Sequence, residues 1–338
     1  MTCIYVTSIA PGDGKTAVSA GLAAVAASRG TKAAYFKPVT LAAGENGAPD
    51  ADFAFCNGAL GPMGVTASPA PVAASTDALT SGLGGTAQQV RSGWAGASRQ
   101  EMTVVDGLPT GLTARASAEL ADLLDASVVA VIRYRRGQDL EDVVALRETF
   151  GERLRGVLLN AVPSVSLREA GEVTAPALEE QGLRCLGILP EERALMGFTV
   201  AEYGALLGGR IINNEERADE LVESLLIGAM ALDPGELYYE RTDNKALITR
   251  GDRPDLQWSA LDSSTRCLIL TQDTEPIPYV LNKAQEVEVP VVVVPKGTLE
   301  TVGEIEGFIT QSTFHHPLKL ARFAEMLELH VDLAALGL

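Results

Sequence analysis

At 338 residues the chain exceeds what one hydrophobic core commonly organises, so two domains are expected. Hydrophobic residues make up 46% and mean hydropathy is +0.13, which excludes a mostly disordered chain. With 27 basic against 44 acidic residues, a net charge of −17 and a pI near 4.6, the surface repels phosphate backbones and anionic lipid, so neither nucleic acid nor membrane is an expected partner.

The four cysteines, Cys3, Cys56, Cys185 and Cys267, are far apart and form no CxxC pair. Buried free thiols in a reducing compartment are the expectation, rather than disulfides or zinc. No apolar run approaches the roughly 18 residues of a membrane span. A first strand that begins at residue 2 leaves no room for a signal peptide, so the expected location is cytoplasmic.

The segment Thr2–Ser8 is β-branched and apolar, and Ile9-Ala10-Pro11-Gly12-Asp13-Gly14-Lys15-Thr16 follows it directly. Ala17 to Arg29 then carries Val18, Leu22 and Val25 at helical spacing and stops at Gly30. Strand, glycine loop, helix is the context a phosphate-binding loop requires. Backbone N–H groups of Gly12, Asp13, Gly14, Lys15, Thr16 and Ala17 would converge on phosphate oxygens. Lys15 would reach the terminal phosphates, and the Thr16 hydroxyl would ligate Mg²⁺. The loop is a variant, with Ile9 where the usual first glycine stands.

Lys32–Phe36 reads as a strand broken by Lys37-Pro38-Val39-Thr40. Lys37 at the carboxyl end of that strand either faces the ligand crevice of an α/β sheet or is a solvated loop lysine. Residues 41–49 read as loop. Asp50-Ala51-Asp52 opens a short helix, and either acid can cap it or reach a metal, with Asp52 preferred for the metal. Residues 61–84 read as a long surface loop. Met102–Gly107 is a buried strand ending in Asp106, which is placed either to hold Mg²⁺ or simply to open a turn before glycine. Further alternation follows: a helix to Leu124, a strand over 127–132, a helix over 139–150, and the strand 155–160 ending in Asn160. That asparagine would read a nucleotide base or sit in a turn. A helix (167–181), a strand (184–188) and a helix from Thr199 complete a mainly parallel sheet covered on both faces.

The pattern restarts near Gly208-Gly209. Apolar runs at 221–230, 245–249, 267–270 and 290–294 alternate with helical stretches at 255–261, 278–285 and 301–309, giving a second, smaller α/β unit. Gly251, Asp252 and Arg253 mark a strand-to-helix switch where Arg253 would bind an anionic effector, or Asp252 would cap the helix and Arg253 lie on the surface. His315-His316 before Pro317 reads as a polar turn.

Taken together, Val6-Thr7-Ser8 leading to Gly14-Lys15-Thr16, Tyr35-Phe36-Lys37-Pro38-Val39, Val104-Val105-Asp106-Gly107, Gly156-Val157-Leu158-Leu159-Asn160 and Leu186-Gly187-Ile188-Leu189-Pro190 resemble the dethiobiotin synthetase-like branch of P-loop ATPases. The segment around Gly251-Asp252-Arg253-Pro254-Asp255 resembles a DRTGG-type domain. This pairing is similar to the N-terminal part of long phosphotransacetylases. The resemblance implies a P-loop NTPase sheet over 1–208 and a DRTGG-type regulatory domain over 209–338. It also implies ATP and Mg²⁺ as cofactors. Lys15 and Lys37 would contact phosphates, Thr16, Asp52 and Asp106 would hold the metal, and Asn160 would read the base. Homodimerisation is implied, with a metabolic enzyme as a partner of unknown identity. The sequence lacks the acyltransferase domain and a glutaminase-like Cys/His arrangement, and its phosphate loop departs from that of true dethiobiotin synthetases. A nucleotide-binding regulatory protein is therefore expected, with an ATP-dependent ligase acting on a small carboxylate or carbamate as the alternative.

Overall fold

In the computed structural model the chain is described over residues 1–41, 50–137, 140–229, 238–308 and 311–338. The expected loop over 41–49 therefore lies, except for Leu41, outside the described residues, as do Asp139, Met230 and Ile309. The chain divides into two compact units, one formed by Met1–Glu191 with His315–Leu338 and the other by Glu192–Phe314.

The first unit is built on alternating strands and helices. Its strands are β1 (Thr2–Ser8), β2 (Ala33–Phe36), β3 (Val39–Leu41), β4 (Val72–Ala74), β5 (Met102–Pro109), β6 (Ser127–Arg133), β7 (Leu154–Val162) and β8 (Cys185–Pro190). Six of them form one sheet in the order β2-β5-β1-β6-β7-β8, every neighbouring pair parallel. The central strands are apolar along their whole length because helices cover both faces, and Ile4, Tyr5, Val6, Val104, Val105 and Val128–Val131 are all buried. After β1 the chain crosses to β2 on one side of the sheet, and it later returns to β6 on the other. The carboxyl ends of β1, β5 and β6 thus flank a topological switch point, where open α/β sheets hold ligands.

Helix α1 (Lys15–Ser28) begins at the carboxyl end of β1. Residues 61–84, read from sequence as a loop, hold a 3₁₀ turn (Gly61–Met63), β4 and a short helix (Thr76–Thr80). Strand β4 pairs with β3 in a small parallel ribbon. The strand containing Asp106 runs on to Pro109, three residues beyond the carboxylate where the sequence reading ended it.

The second unit contains β9 (Phe198–Thr199), β10 (Arg210–Ile211), β11 (Leu221–Val222), β12 (Ser224–Ile227), β13 (Lys245–Arg250), β14 (Thr265–Thr271) and β15 (Val291–Val293). Its main sheet has the order β10-β15-β14-β13-β12, antiparallel at the β10 edge and parallel elsewhere. Ala246, Ile248, Cys267, Ile269 and Val292 supply one buried face, and Leu247, Leu268, Leu270, Val291 and Val293 supply the other.

The boundaries differ from the single break at 208/209. The C-terminal helix Pro317–His330 belongs to the first unit, where Gly21 of α1 faces Leu327 and Phe323. Leu320, Phe323, Met326 and Leu327 are buried, each contributing about 1.5–3 kcal/mol of apolar burial. Their helical spacing is legible in the sequence. Which of two α/β cores such a helix covers is not, because either core would accept the same apolar stripe. Among the described residues, no helix is long and apolar enough to cross a membrane. All four cysteines are free, and Cys3, Cys56 and Cys267 are buried.

Candidate functional site

The site forms where β1, β2 and β5 end beside α1. Gly14 is the N-cap of α1 with φ 99°, a left-handed conformation in which a side chain is strained. A Cβ there would also come within 2.2 Å of Asn160 Nδ2. No side chain caps α1, so its first N–H groups face the loop with the positive end of the helix dipole behind them.

Asp106 is fully buried and is the hub. Lys15 Nζ lies 2.5 Å from Asp106 Oδ1. Asp106 Oδ2 accepts from the Thr16 hydroxyl at 3.2 Å and the Tyr35 hydroxyl at 3.0 Å, and Lys37 Nζ is 3.6 Å away. A buried carboxylate persists only when paired and hydrogen-bonded in this way. Thr16 Oγ1 also donates to Asp52 Oδ2 at 3.1 Å. Lys15, Thr16, Lys37, Asp52 and Asp106 therefore converge, as the sequence reading grouped them.

Asp50 takes the capping role, and Asp52 faces Thr16. Asp50 caps α2 (Ala51–Leu60) by accepting from Phe53 N at 2.8 Å, while Lys37 Nζ sits 2.8 Å from its Oδ2 and Thr40 Oγ1 donates to it at 2.5 Å. Asp52 faces Thr16 on one side, and His315 Nε2 lies 2.7 Å from its Oδ1 on the other. Burial works to raise both carboxyls, but hydrogen bonds and neighbouring cations outweigh it: Lys37, Thr40 and the Phe53 N–H at Asp50, and His315, Lys37 and Thr16 at Asp52, leave each below the usual carboxylate value. At Lys37 burial favours the neutral amine, yet the attraction of Asp106, Asp50 and Asp52 prevails and its pKa ends above the ordinary lysine value. The group is a charged, mutually neutralising network in its ionised form.

Two of its members, Tyr35 and His315, were not assigned site roles from sequence, and a third, Asp50, was left between capping and metal binding. Tyr35 stood in the strand quoted for the resemblance, but nothing marks its hydroxyl as aimed at Asp106; burial, then Asp106 and Cys56, raise its pKa well above that of free tyrosine. Asp50 was set second to Asp52. His315 was read as a turn, because no local pattern places residue 315 beside residue 52; its ring also lies 5.4 Å from that of Phe55.

Asn160 contacts the loop backbone. It is buried at the end of β7 and donates from Nδ2 to the Asp13 carbonyl at 2.8 Å, supporting the phosphate loop from below. The same amide packs against Gly14, and this bond uses one of its two N–H donors, leaving the other and the Oδ1 acceptor for the base expected there.

The donor set suits a hard divalent cation: two carboxylates and a hydroxyl, all oxygen. Among the described residues no group of three or more His, Cys, Asp or Glu side chains is arranged to hold a metal.

In the second unit, Gly251 follows β13 in a tight turn, and a Cβ there would come within 1.9 Å of the Thr274 carbonyl. Asp252 does not cap the following helix. Its carboxylate pairs with Arg250, and the N-cap position of the helix Pro254–Leu261 is Arg253, whose guanidinium pairs with Asp255 at 2.6 Å. Gln257 Nε2 pins the turn by donating to the carbonyls of Arg250 and Gly251 at 2.9 and 3.0 Å, and its Oε1 is buried without a hydrogen-bond partner.

Residues 2–199 match the family profile described as AAA domain. The chain belongs to the AAA domain family. Residues 203–308 of this AAA domain protein match the profile of the DRTGG domain, in line with the resemblance drawn from sequence and within the second compact unit. The C-terminal helix lies outside both matches.

Similar solved structures include the CBS and DRTGG domains of the regulatory region of a Clostridium perfringens pyrophosphatase, complexed with its activator diadenosine tetraphosphate (16% identity, 46% of this chain and 73% of that one, TM-score 0.27). A nucleotide-binding protein from Archaeoglobus fulgidus in complex with ADP shares 16% identity over 56% of this chain and 81% of its own, with a TM-score of 0.37. The MinD cell division protein of Aquifex aeolicus shares 16% over 58% and 84%, with a TM-score of 0.35.

Proposed function

We propose that this AAA domain protein binds a nucleoside triphosphate with Mg²⁺ at the Lys15 loop and uses its DRTGG domain to sense a second, anionic effector, acting as a nucleotide-responsive regulator. The observation that carries the reading is the convergence of Lys15 and Thr16 from α1, and of Lys37 from the end of β2, on buried Asp106 of β5, beside a helix N-terminus that no described side chain caps. Such a cost in buried charge is balanced when the lysines can be handed to phosphate oxygens and the carboxylates to a cation. Backbone N–H groups of Gly12 to Ala17 would hold the phosphates, with Lys15 and Lys37 neutralising their charge. Thr16, Asp52 and Asp106 would hold the metal directly or through its waters. When bound, Mg²⁺ would bridge and neutralise phosphate oxygens.

In the second domain the Gly251–Arg253 turn, with Arg250 and Arg253 on it, supports an effector site for a nucleotide-like anion. Homodimerisation and a metabolic enzyme as partner complete the proposal, and the family resemblance supports both.

Thermal denaturation of the full chain tests it. Mg-ATP at a hundredfold over its Kd should raise stability by about 2.7 kcal/mol, and Lys15→Ala should abolish that rise. A shift given by a dinucleoside polyphosphate that survives Lys15→Ala but not Arg253→Ala would place a second site in the DRTGG domain. No shift with either ligand would contradict the proposal.

A further inference from the structure

The phosphate loop carries its own negative charge. Asp13 stands immediately before Gly14-Lys15-Thr16, and its side chain is turned inward, only 6% exposed. Its Oδ2 accepts from Ala10 N at 2.9 Å, so the carboxylate lies inside the curve of the loop rather than in solvent. Its own backbone carbonyl accepts from Asn160 Nδ2 at 2.8 Å, which holds the loop backbone at residue 13. The surroundings do not fully compensate the charge. Burial raises the carboxyl's pKa, and the N–H groups of Ala10, Arg133 and Ile9 together with the Arg135 guanidinium pull it down by less.

We infer that Asp13 is an affinity-setting residue: a fixed anion within the phosphate loop that weakens binding of nucleoside di- and triphosphates. The inference rests on the nucleotide reading of the Lys15 loop. A loop of converging N–H groups works by positive potential, and a buried carboxylate a few bonds from those groups subtracts from it with little screening by water or salt. Repulsion grows with ligand charge, so the triphosphate is penalised most. For a regulator the consequence is useful. Occupancy follows concentration only if Kd is comparable with the nucleotide level, and an over-tight loop would stay saturated.

The competing role is scaffolding, in which the Asp13–Ala10 contact shapes the loop and so favours binding. The two roles predict opposite signs, and an isostere separates them. Asp13→Asn keeps an acceptor for Ala10 N and removes the charge, while Asp13→Val removes both. Titration calorimetry of the full chain with Mg-ATP and Mg-ADP is the measurement, with Lys15→Ala as the loop control. The expected result is about tenfold tighter Mg-ATP binding by Asp13→Asn, a smaller gain for Mg-ADP, and an unchanged far-UV spectrum. Equal or weaker binding by Asp13→Asn, with wild type still binding and Lys15→Ala not, would overturn the inference and leave the nucleotide site standing. Failure of wild type and Asp13→Asn alike to bind either nucleotide would remove the nucleotide reading and the inference with it.

Discussion

The two units present charged residues at the same place in their folds, the carboxyl ends of parallel strands, and use them differently. In the first unit the pairs join separate segments of the chain: Lys15 with Asp106, Lys37 with Asp50, His315 with Asp52. Two of the three are sheltered, with the Lys37 side chain 8% exposed and Asp106 fully buried, while the Asp52 side chain is 42% exposed. In the DRTGG domain Arg250 pairs with Asp252 and Arg253 with Asp255, each two residues away and half-exposed at the acid. Long-range burial of charge costs free energy that a merely stable fold would avoid, so the first arrangement points to chemistry. Local surface pairs cost and contribute little.

That contrast predicts a graded series of effects. Asp106→Ala should be the most damaging, destabilising the chain by about 3–5 kcal/mol, because it strands Lys15 and Lys37 beside a buried hole. Urea unfolding of wild type and variant would measure it, and a loss below 1 kcal/mol would show that the network is solvated after all. Gly14→Ala should cost about 1–3 kcal/mol through its φ of 99° and its collision with Asn160, and should abolish nucleotide binding at the same time.

The pH response should be smaller and confined to the acid limb. Asp50 and Asp52 are depressed in the folded state, so their contribution is full above the unfolded value of about 4 and disappears as pH falls through the lower folded value. Asp13, raised, opposes this trend. Melting temperature followed from pH 6 downwards should therefore fall less steeply in Asp50→Asn than in wild type. Parallel curves would count against the ion network. Arg253→Ala should be the mildest, within about 0.5 kcal/mol of wild type, since its partner Asp255 is exposed and adjacent. A larger loss would mean that the guanidinium is structural rather than ligand-directed.

What could be read from the chain beforehand follows the range of each interaction. The strand–loop–helix at Thr2–Ser28 is local, and β1, Gly14 and α1 stand where the motif put them. Asp106 was legible because an acid inside an apolar strand is rare, and Lys37 because a lysine ends the strand beside it. Asn160 was located correctly at the end of its strand, but its partner, the carbonyl of a residue 147 positions away, leaves no trace in sequence. The same holds for His315, brought to Asp52 by a helix whose apolar stripe fits either core. The second unit's sheet was readable from its valine- and leucine-rich runs, whereas the choice of Arg253 rather than Asp252 as N-cap depended on which carboxylate Arg250 captured.

The central claim is that phosphates and a divalent cation meet at the Lys15, Thr16 and Asp106 rim. Its most direct test is a crystal of the full chain grown with Mn²⁺ and ADP, with Mn²⁺ located by anomalous scattering. The account predicts a peak bonded to the β-phosphate and to Thr16 Oγ1 directly, with Asp106 reached directly or through one water. A peak elsewhere in the chain, or ADP bound with its phosphates away from the residues 12–17 loop, would contradict it.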